Sequence, residues 1–580
     1  MLGRQVLALI LSSWSIVTAS LASQFHPHPK PQNLRRQYFP THASDFQTFT
    51  TPTNVTIRYK EPGKSGVCET TEGVASYSGY IDIAPNVHAF FWFFASRRDP
   101  ANDDLTLWLN GGPGADSLVG LFQEMGPCTI TENLTSVLNP YSWNEVSNLL
   151  FLSQPVGVGF SYQADDHSTE LGSDHNSTTT TYPLSDPIRE GDINTTDIAA
   201  VAAWHILQGF LSALPYFPDV KSAKPKNFNL WTESYGGHYG PSFFKYFYDQ
   251  NERIVNGSIS GYPLTFNSLG LINAIISEAI QAEHYPEFAV NNTYGIVAYN
   301  DTVYSYAKFA LNMINGCKDR LVRCAAAARD TPGGLVNGKI TTSASSQITV
   351  VDKCNEATAM CYDNVKGVYD AYSGRQRFDI RLPRDDPTPP TYFEDYLGLP
   401  EIQEAIGVRL NYSSINEDVY FEFRQTGDFA YPNFLRDLEE ILDSGVRVSL
   451  VYGDADYACN WFGGEAVSKQ ISYAHTEQFN AAGYEPFVWA PGNVQAGEVR
   501  EYGNFSFTRI YEAGHQVPYY QPGPSLAYFE RAISGLAMAD GRKPVTANST
   551  TTGPANTTHT ADPAPYSSIV PPTESASLAA

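Results

Sequence analysis

The chain has 580 residues, of which 42% are hydrophobic and 17% charged, so it can bury a large core and is not a largely disordered protein. Its 37 Lys and Arg residues against 61 Asp and Glu residues give a formal net charge of −24. Because so acidic a chain repels phosphate backbones, nucleic acid is not expected as a partner. The sequence has no internal run of about 18 apolar residues, so no membrane span is expected either.

The N-terminal residues have the pattern of a secretory signal peptide. Arg4 precedes an apolar stretch, and small residues follow near Ala19. We therefore predict a signal peptide over 1–19, an N-terminal extension over 20–44, and secretion to the extracellular space or, alternatively, to an acidic vacuole. The sequons that predict N-glycans are Asn54, Asn133, Asn176, Asn194, Asn256, Asn291, Asn300, Asn411, Asn504, Asn548 and Asn556.

Short apolar runs alternate with Gly-rich turns and helix-like segments over residues 45–275. Residues 197–214 have the pattern of an amphipathic helix. The runs predicted as buried strands are 88–96, 105–110, 148–155 and 228–234. This alternation predicts an α/β fold with a largely parallel sheet. We expect this region to be the first part of a catalytic core.

The pattern changes to helical stretches over 276–430, which we interpret as an insertion or cap. Four of the seven cysteines lie there, and irregular spacing without a nearby His favours local disulfides over a zinc site. A strand-like run at 446–456 predicts a second part of the core over 431–540. Residues 541–580 are rich in Ser, Thr, Pro and Ala and predict a disordered, O-glycosylated tail.

Ser234 lies in the segment WTESYGGHYGP at 231–241, directly after a strand-like run. A strand that runs into a small turn and then a helix is typical of a nucleophile elbow, which projects the serine hydroxyl from the top of the sheet. The usual elbow has Gly two residues before the serine, whereas this chain has Thr232. On this motif alone, an ordinary turn residue is the alternative.

Two later segments supply the partners that a serine nucleophile needs. GDAD at 453–456 ends a strand-like run in two carboxylates, and His515 lies in the turn AGHQVP. An imidazole must take the serine proton, and a carboxylate must orient that imidazole. The chain order Ser, Asp, His is that of the α/β hydrolases.

A Gly-Gly-Pro-Gly turn follows the strand-like run LTLWLN at 105–110. Such a turn exposes backbone amides, as the corresponding loops of esterases do for an oxyanion. It lacks the Lys-Ser/Thr of a nucleotide-binding loop. No cluster has metal-ligand spacing, so we expect neither a metal nor a cofactor.

Five segments together resemble the serine carboxypeptidase family over about residues 45–540. They are WLNGGPG (108–114), FLSQPVGVGFSY (151–162), ESYGGHY (233–239), GDADYACNW (453–461) and AGHQVP (513–518). CETT at 68–71 and GPGADS at 112–117 are most similar to a secreted fungal subgroup. The resemblance implies an α/β-hydrolase fold with a mixed, mostly parallel central sheet and a helical, disulfide-stapled insertion.

The resemblance also implies hydrolysis of the C-terminal peptide bond of peptides and proteins at acidic pH, through an acyl-enzyme. The implied catalytic residues are Ser234 as nucleophile, His515 as general acid and base, and Asp456 as the orienting acid. The implied oxyanion donors are the backbone amides of Gly112 and Tyr235. The implied ligands of the substrate carboxylate are Asn110, Gly111, Glu124 and Glu233, with Trp108 packed beside them. Protons held between the two glutamates would tie this recognition to acidic pH.

The chain departs from its relatives at several positions. Many relatives have Cys-Ser where this chain has Ala115-Asp116, so Cys68 with Cys128 is a hypothetical substitute bridge. The resemblance implies that Cys459 is unpaired. Where some relatives have Met, this chain has Gln516, which leaves the preference for the released residue open.

Two other interpretations remain at this point. An acyltransferase or esterase could use the same scaffold, because a fold and a triad do not fix the acceptor. A glycoprotein that binds peptides without catalysis is the third interpretation, although no triad member is missing from the sequence.

Overall fold

The computed structural model describes residues 46–51, 55–84, 86–163, 193–220, 224–329, 344–489 and 493–562. The predicted signal peptide, the N-terminal extension, the sequons at Asn54 and Asn176, and residues 563–580 lie outside the described residues.

One sheet of thirteen strands organises the described residues. The strands of the described residues are β1 (Gln47–Thr50), β2 (Thr56–Lys60), β3 (Ser76–Ala84), β4 (Val87–Phe94), β5 (Leu105–Leu109), β6 (Cys128–Ile130), β7 (Ser136–Leu138), β8 (Asn148–Leu152), β9 (Tyr162–Gln163), β10 (Phe228–Glu233), β11 (Phe266–Ile272), β12 (Arg447–Gly453), β13 (Glu485–Trp489), β14 (Val494–Tyr502) and β15 (Phe505–Ile510). The hairpin of β6 and β7 is separate from the sheet.

The order of the strands in the sheet is β1-β2-β3-β4-β8-β5-β10-β11-β12-β15-β14-β13, and β9 pairs with β4. The strands from β8 to β15 in this order are parallel, and the pairs on either side are antiparallel.

Helices cover the sheet and fill the region predicted as an insertion. Those before the insertion are α1 (Leu118–Gln123), α2 (Thr196–Ala213) and α3 (Gly236–Val255). Those within it are α4 (Glu278–Gln281), α5 (Tyr285–Val290), α6 (Asp301–Asn312), α7 (Cys317–Arg329), α8 (Ala344–Cys361), α9 (Val368–Tyr372), α10 (Tyr392–Leu397), α11 (Pro400–Ile406) and α12 (Glu417–Gln425). Those after it are α13 (Asn433–Asp443), α14 (Trp461–Gln470), α15 (Thr476–Ala481), α16 (Val517–Tyr520) and α17 (Pro522–Ile533).

The central strands are buried along their whole length, as expected for parallel strands covered on both faces. Successive side chains of a strand enter opposite layers. Leu107 and Leu230 belong to one core cluster, and Trp108 and Trp231 belong to the other. The apolar runs in the sequence therefore predicted these strands correctly, and the mixed, mostly parallel sheet is confirmed.

Helix α2 is the longest apolar helix of the first core region. Together with the turn that follows it, Thr196–Tyr216 is long and apolar enough to cross a bilayer, but 67% of its most apolar window is buried inside the fold. Its composition is accordingly that of a core helix.

Three disulfides are present among the described residues. Cys317–Cys361 and Cys324–Cys354 both join α7 to α8, so the predicted local stapling of the insertion is confirmed. Cys68 pairs with Cys128, as hypothesised. Cys459 is free and buried.

Residues 541–562, which the sequence predicts as disordered, form an ordered segment along the sheet. The Thr551 N–H donates to the Glu501 carbonyl at 3.0 Å, and the Arg500 guanidinium donates to the Ala555 carbonyl. The segment contains few large apolar side chains, so its polar contacts with the edge of the sheet hold it in place.

Arg509 secures the last part of this segment. Its guanidinium is almost fully buried and donates to the Thr557 hydroxyl at 2.6 Å and to the His559 carbonyl at 2.9 Å. The Ala561 N–H donates to the Thr293 carbonyl at 2.9 Å. A buried guanidinium needs these acceptors, which gives the polar segment a defined position.

Truncation after residue 540 should therefore destabilise the protein. We expect its free energy of unfolding to fall by roughly 3–5 kcal/mol, because two buried arginines lose hydrogen bonds to this segment. Guanidinium denaturation followed by tryptophan fluorescence would measure the loss. Truncation after residue 562 is the matched control, and equal stability of the two truncated chains would contradict the expectation.

Candidate active site

Ser234 lies in the tight turn between β10 and α3. Its φ of 64° is in the left-handed region, which is uncommon for a residue other than glycine and indicates a strained turn. The turn is held because the Ser234 N–H donates to the Ile272 carbonyl at 3.0 Å and the Ile275 N–H donates to the Ser234 carbonyl at 2.9 Å. The Thr232 hydroxyl donates to the Gly236 carbonyl at 2.8 Å, so the unusual threonine is part of the elbow.

His515 and Asp456 form a buried pair at the ends of neighbouring strands. The His515 Nδ1 lies 2.7 Å from the Asp456 Oδ2. The same carboxylate accepts from the Asn273 side chain at 2.8 Å and from the backbone N–H groups of Ala458 at 2.9 Å and Cys459 at 3.1 Å. With these donors Asp456 has a fixed orientation, and it in turn orients the imidazole.

The pKa of His515 reflects two opposing effects. Burial alone would lower it, but the adjacent Asp456 carboxylate stabilises the imidazolium and holds the pKa well above its ordinary value.

One group of side chains among the described residues has metal-ligand spacing. It consists of Asp456, Cys459 and His515, whose ligand atoms lie within 4.8 Å of one another. Their mutual contacts leave Asp456 committed to hydrogen bonds within the protein.

An ion pair supports the two loops that carry Asp456 and His515. Asp454 accepts from the Arg509 guanidinium at 3.3 Å, from the Tyr294 hydroxyl at 2.6 Å and from the Glu512 N–H at 2.9 Å. Asp454 and Arg509 are both fully buried. The first carboxylate of GDAD thus joins strand β12 to the segment that leads to His515.

The Gly-Gly-Pro-Gly loop lies directly against the elbow of Ser234. A Cβ on Gly111 would lie 2.4 Å from the Tyr235 nitrogen and 2.6 Å from the Glu233 carbonyl oxygen, so only glycine fits there. Within the described part of the chain, neither the Gly112 nor the Tyr235 N–H donates to a protein acceptor. Both amides are available to an oxyanion.

Asn110, Glu124 and Glu233 form a buried polar cluster beside Ser234. The Asn110 Nδ2 donates to one carboxyl oxygen of each glutamate at 3.3 Å. Its Oδ1 accepts from the Trp108 indole N–H at 2.8 Å, so the asparagine orientation is fixed. The Oε2 atoms of both glutamates have no partner among the described residues.

Burial is the main cause of the pKa shifts in this cluster. It raises the pKa of Glu124 above its ordinary value. It raises the pKa of Glu233 further, and the neighbouring Glu124 charge adds to the shift. A shared proton between the two carboxyl groups relieves their repulsion.

Most of the predicted site residues line one cavity of about 530 Å³. Ser234, His515, Gly111, Gly112 and Asn110 are in its wall, together with Glu233. The structure therefore brings together the residues that the sequence motifs singled out, although they are up to 405 positions apart, as between Asn110 and His515. Their catalytic and binding roles stay predictions.

Two residues of the site had no clear signal in the sequence. Asn273 donates to Asp456 and accepts from the Gly453 N–H at 2.9 Å, and only its position at the end of a strand could have suggested a role. Gln516 donates to the Gln123 side chain at 2.9 Å and lies 3.5 Å from a Glu124 oxygen. The sequence shows Gln516 next to His515, but no local pattern predicts its contact with the glutamate cluster.

Relatives match the chain over most of its length. A family model described as serine carboxypeptidase matches residues 62–535. Carboxypeptidase S1 homolog A of Arthroderma otae is 38% identical over 543 residues, which cover 87% of this chain and 80% of that protein. Carboxypeptidase S1 of Penicillium janthinellum is 35% identical over 470 residues, covering 81% and 97%. A vacuolar serine-type carboxypeptidase of Saccharomyces cerevisiae is 32% identical, covering 83% and 82%.

A solved structure has the same fold. It is that of Kex1(delta)p, a prohormone-processing carboxypeptidase from Saccharomyces cerevisiae, with a TM-score of 0.56 and 18% sequence identity. The match covers 85% of this chain and 99% of that structure. Together with the sheet order, it confirms the predicted α/β-hydrolase fold.

The close contact of Gly111 with the elbow gives a test of the loop. In Gly111→Ala the new methyl group would push the Gly112 amide away from Ser234, and we expect turnover to fall by about 10²–10³-fold. The rate of Ser234 labelling by an active-serine phosphonate would measure the loss without a chosen substrate. Gly257→Ala, where the added Cβ meets no atom within 4 Å, is the control. Labelling of Gly111→Ala at the wild-type rate would refute the assignment.

Proposed function

The chain belongs to the serine carboxypeptidase family, and we propose that it removes single residues from peptide C-termini through Ser234, His515 and Asp456. Membership in this family makes it a serine-type carboxypeptidase, a hydrolase of peptides and proteins. The proposal adds which residues carry the reaction, how they recognise the substrate and at which pH they work.

In the proposed mechanism, the Ser234 hydroxyl attacks the carbonyl carbon of the last peptide bond. His515 takes the hydroxyl proton and passes it to the departing amino group, and Asp456 stabilises the imidazolium formed in between. The Gly112 and Tyr235 amides would bind the oxyanion. Water then adds to the acyl-enzyme with His515 as base, and the shortened peptide leaves. Among the described residues the Ser234 side chain has no hydrogen-bond partner. The hydrogen bond between a catalytic serine and its histidine often tightens only when substrate is bound.

The buried cluster of Asn110, Glu124 and Glu233 is the observation that carries the proposal. An exopeptidase must recognise a free terminal carboxylate, and this cluster offers an amide donor and protonated carboxyl groups next to Ser234. An ester or acyl substrate has no carboxylate to hold, so the cluster favours a peptidase over the acyltransferase and esterase alternative. The available oxyanion amides likewise favour an enzyme over a non-catalytic binding protein.

The same cluster supports action at acidic pH. A substrate carboxylate can approach the two glutamates only while they retain protons. Because their pKa values are raised, these protons are held above the ordinary glutamate range. His515 must be neutral to act as a base, so its raised pKa lowers kcat as the pH falls, and the preference for acidic pH comes from KM through the glutamate cluster.

We also propose that the protein enters the secretory pathway. The three disulfides suit an oxidising compartment. N-glycans at several sequons fit the same route. Delivery to the extracellular space is our proposal, and an acidic vacuole is the alternative, as for the vacuolar relative from yeast.

The first experiment compares an N-blocked dipeptide with its C-terminal amide at pH 4.5 and 7.5. We expect release of the last residue from the free acid at pH 4.5 and much less from the amide, because the amide cannot use the carboxylate cluster. Quantitative amino-acid analysis would measure the release, with Ser234→Ala as the control. If Ser234 reacted with the phosphonate label while neither peptide was cleaved, the esterase alternative would be favoured.

A second prediction concerns the pH dependence of KM. As the pH rises through the raised pKa values of the two glutamates, they lose protons and KM for free-acid peptides should increase. In Glu233→Gln one position stays neutral at every pH, so we expect KM to change less between pH 5 and 8. The KM of the corresponding peptide amide, which does not use the cluster, is the control. A flat KM in the wild type, or equal pH dependence for acid and amide, would contradict the role of the cluster.

A further inference from the structure

Asp116 is a buried carboxyl group that the proposed reaction does not use. It follows the Gly-Gly-Pro-Gly loop, four positions after Gly112, and its side chain is fully buried. Within the described residues, neither of its carboxyl oxygens has a hydrogen-bond partner of good geometry. A buried, unpaired carboxylate is unfavourable, so burial favours the protonated, uncharged form of Asp116 over the ionised form.

Asp116 lies between two segments that pack against the Gly-Gly-Pro-Gly loop, one around Gly159 and one around Ser414. A Cβ on Gly159 would lie 2.2 Å from the Asp116 Oδ2 and 2.7 Å from the Ser153 Oγ, so the surrounding backbone is tightly packed. On the other side the Asp116 N–H donates to the Ser414 carbonyl at 2.8 Å. The side chain therefore has little room to move unless the loop moves with it.

Among the described residues, the groups that act on this carboxyl are uncharged hydrogen-bond donors. The hydroxyl groups of Ser153 and Tyr412 face it, and the Ser117 and Leu118 amides are adjacent. Tyr412 in turn interacts with the acidic side chain of Glu394. These donors favour ionisation only weakly, and burial raises the pKa of Asp116 to about 7.

The backbone of the same loop carries one of the two candidate oxyanion donors. The Asn416 N–H donates to the Gly114 carbonyl at 2.8 Å, and Gly111 contacts the elbow. The loop between Gly111 and Asp116 is thus fixed at both ends, with the Gly112 amide between them. A displacement at Asp116 changes the position of that amide.

We propose that Asp116 is a positioning residue whose uncharged form holds the Gly112 amide in place for turnover, and that its ionisation displaces the loop. The inference rests on the proposed function, in which Gly112 stabilises the oxyanion. Ionisation of Asp116 also places a negative charge on the loop that must bind a developing negative charge. Both effects lower kcat, whereas loss of protons from the glutamate cluster raises KM for free-acid substrates.

The test uses an N-blocked dipeptide ester, which offers no terminal carboxylate to the glutamate cluster. The ratio of kcat for this ester in Asp116→Asn, which cannot ionise, to kcat in the wild type should rise by about tenfold for each pH unit above 7, since only the protonated form of Asp116 is active. The titration of His515, whose pKa is also raised, is common to both enzymes and leaves this ratio unchanged. Asp437→Asn is the matched control: the pKa of its carboxyl group is also raised to about 7, mainly by burial, but Asp437 lies on helix α13 and not on the loop that carries Gly112.

A ratio of the two kcat values that stayed constant above pH 7 would refute the inference. Absence of residue release from free-acid peptides with normal ester turnover would instead refute the proposed carboxypeptidase specificity. If Asp116→Asn does not fold, Asp116→Ser replaces it, since serine also stays uncharged.

Thermal stability gives an independent measurement. The folded pKa of about 7 is above the unfolded value, so ionisation destabilises the fold as the pH rises from about 4 to 7. The Tm of the uncharged variant relative to the wild type should therefore increase over that range and remain constant above it. A Tm difference independent of pH would show that Asp116 is not protonated in the fold and would overturn the inference.

Discussion

The register of the parallel strands determines where every reactive group of this protein lies. Leu109 at the end of β5 is paired with Thr232 near the end of β10, so the loop after β5 meets the elbow after β10. On the far side of β11, Gly453 of β12 is paired with Ile510 of β15, which brings the two loops of the His–Asp pair together. Because the carboxyl ends of parallel strands share one edge, four distant segments form one cavity. The helices and disulfides then enclose that edge.

Around this edge the chain buries carboxyl groups without supplying cations for most of them. Glu124 and Glu233 share an asparagine, and Asp116 has only weak donors. Asp428 accepts hydrogen bonds from Tyr235 and Thr196, yet burial still raises its pKa to about 7. Protons thus take the place that Lys or Arg has beside other buried carboxylates. In the mechanism that we propose, the same protons would stabilise the buried groups and admit a substrate carboxylate.

The sequence predicted those parts of the fold that depend on local pattern. Continuous apolar runs identified the central strands β4, β5, β8 and β10, because strands covered on both faces need no polar side chains. The site motifs were recognisable because strained turns restrict residue choice. Asn273 was missed because its partner Asp456 is 183 positions away, and no local pattern encodes that contact. The order of residues 541–562 was missed for the same reason, since it depends on buried arginines of the sheet.

The ordered segment over 541–562 has a further consequence for an enzyme that shortens polypeptides from their C-termini. Each molecule is itself a polypeptide with a C-terminus, and at high concentration it is a substrate for its neighbours. Cleavage requires several terminal residues to leave their own fold and enter the cavity of another molecule. The Thr557 side chain is bound to Arg509 and the Ala561 amide is bound to Thr293, so these residues do not leave their own fold easily. We therefore expect cleavage of one molecule by another to stop at this segment before it reaches the sheet.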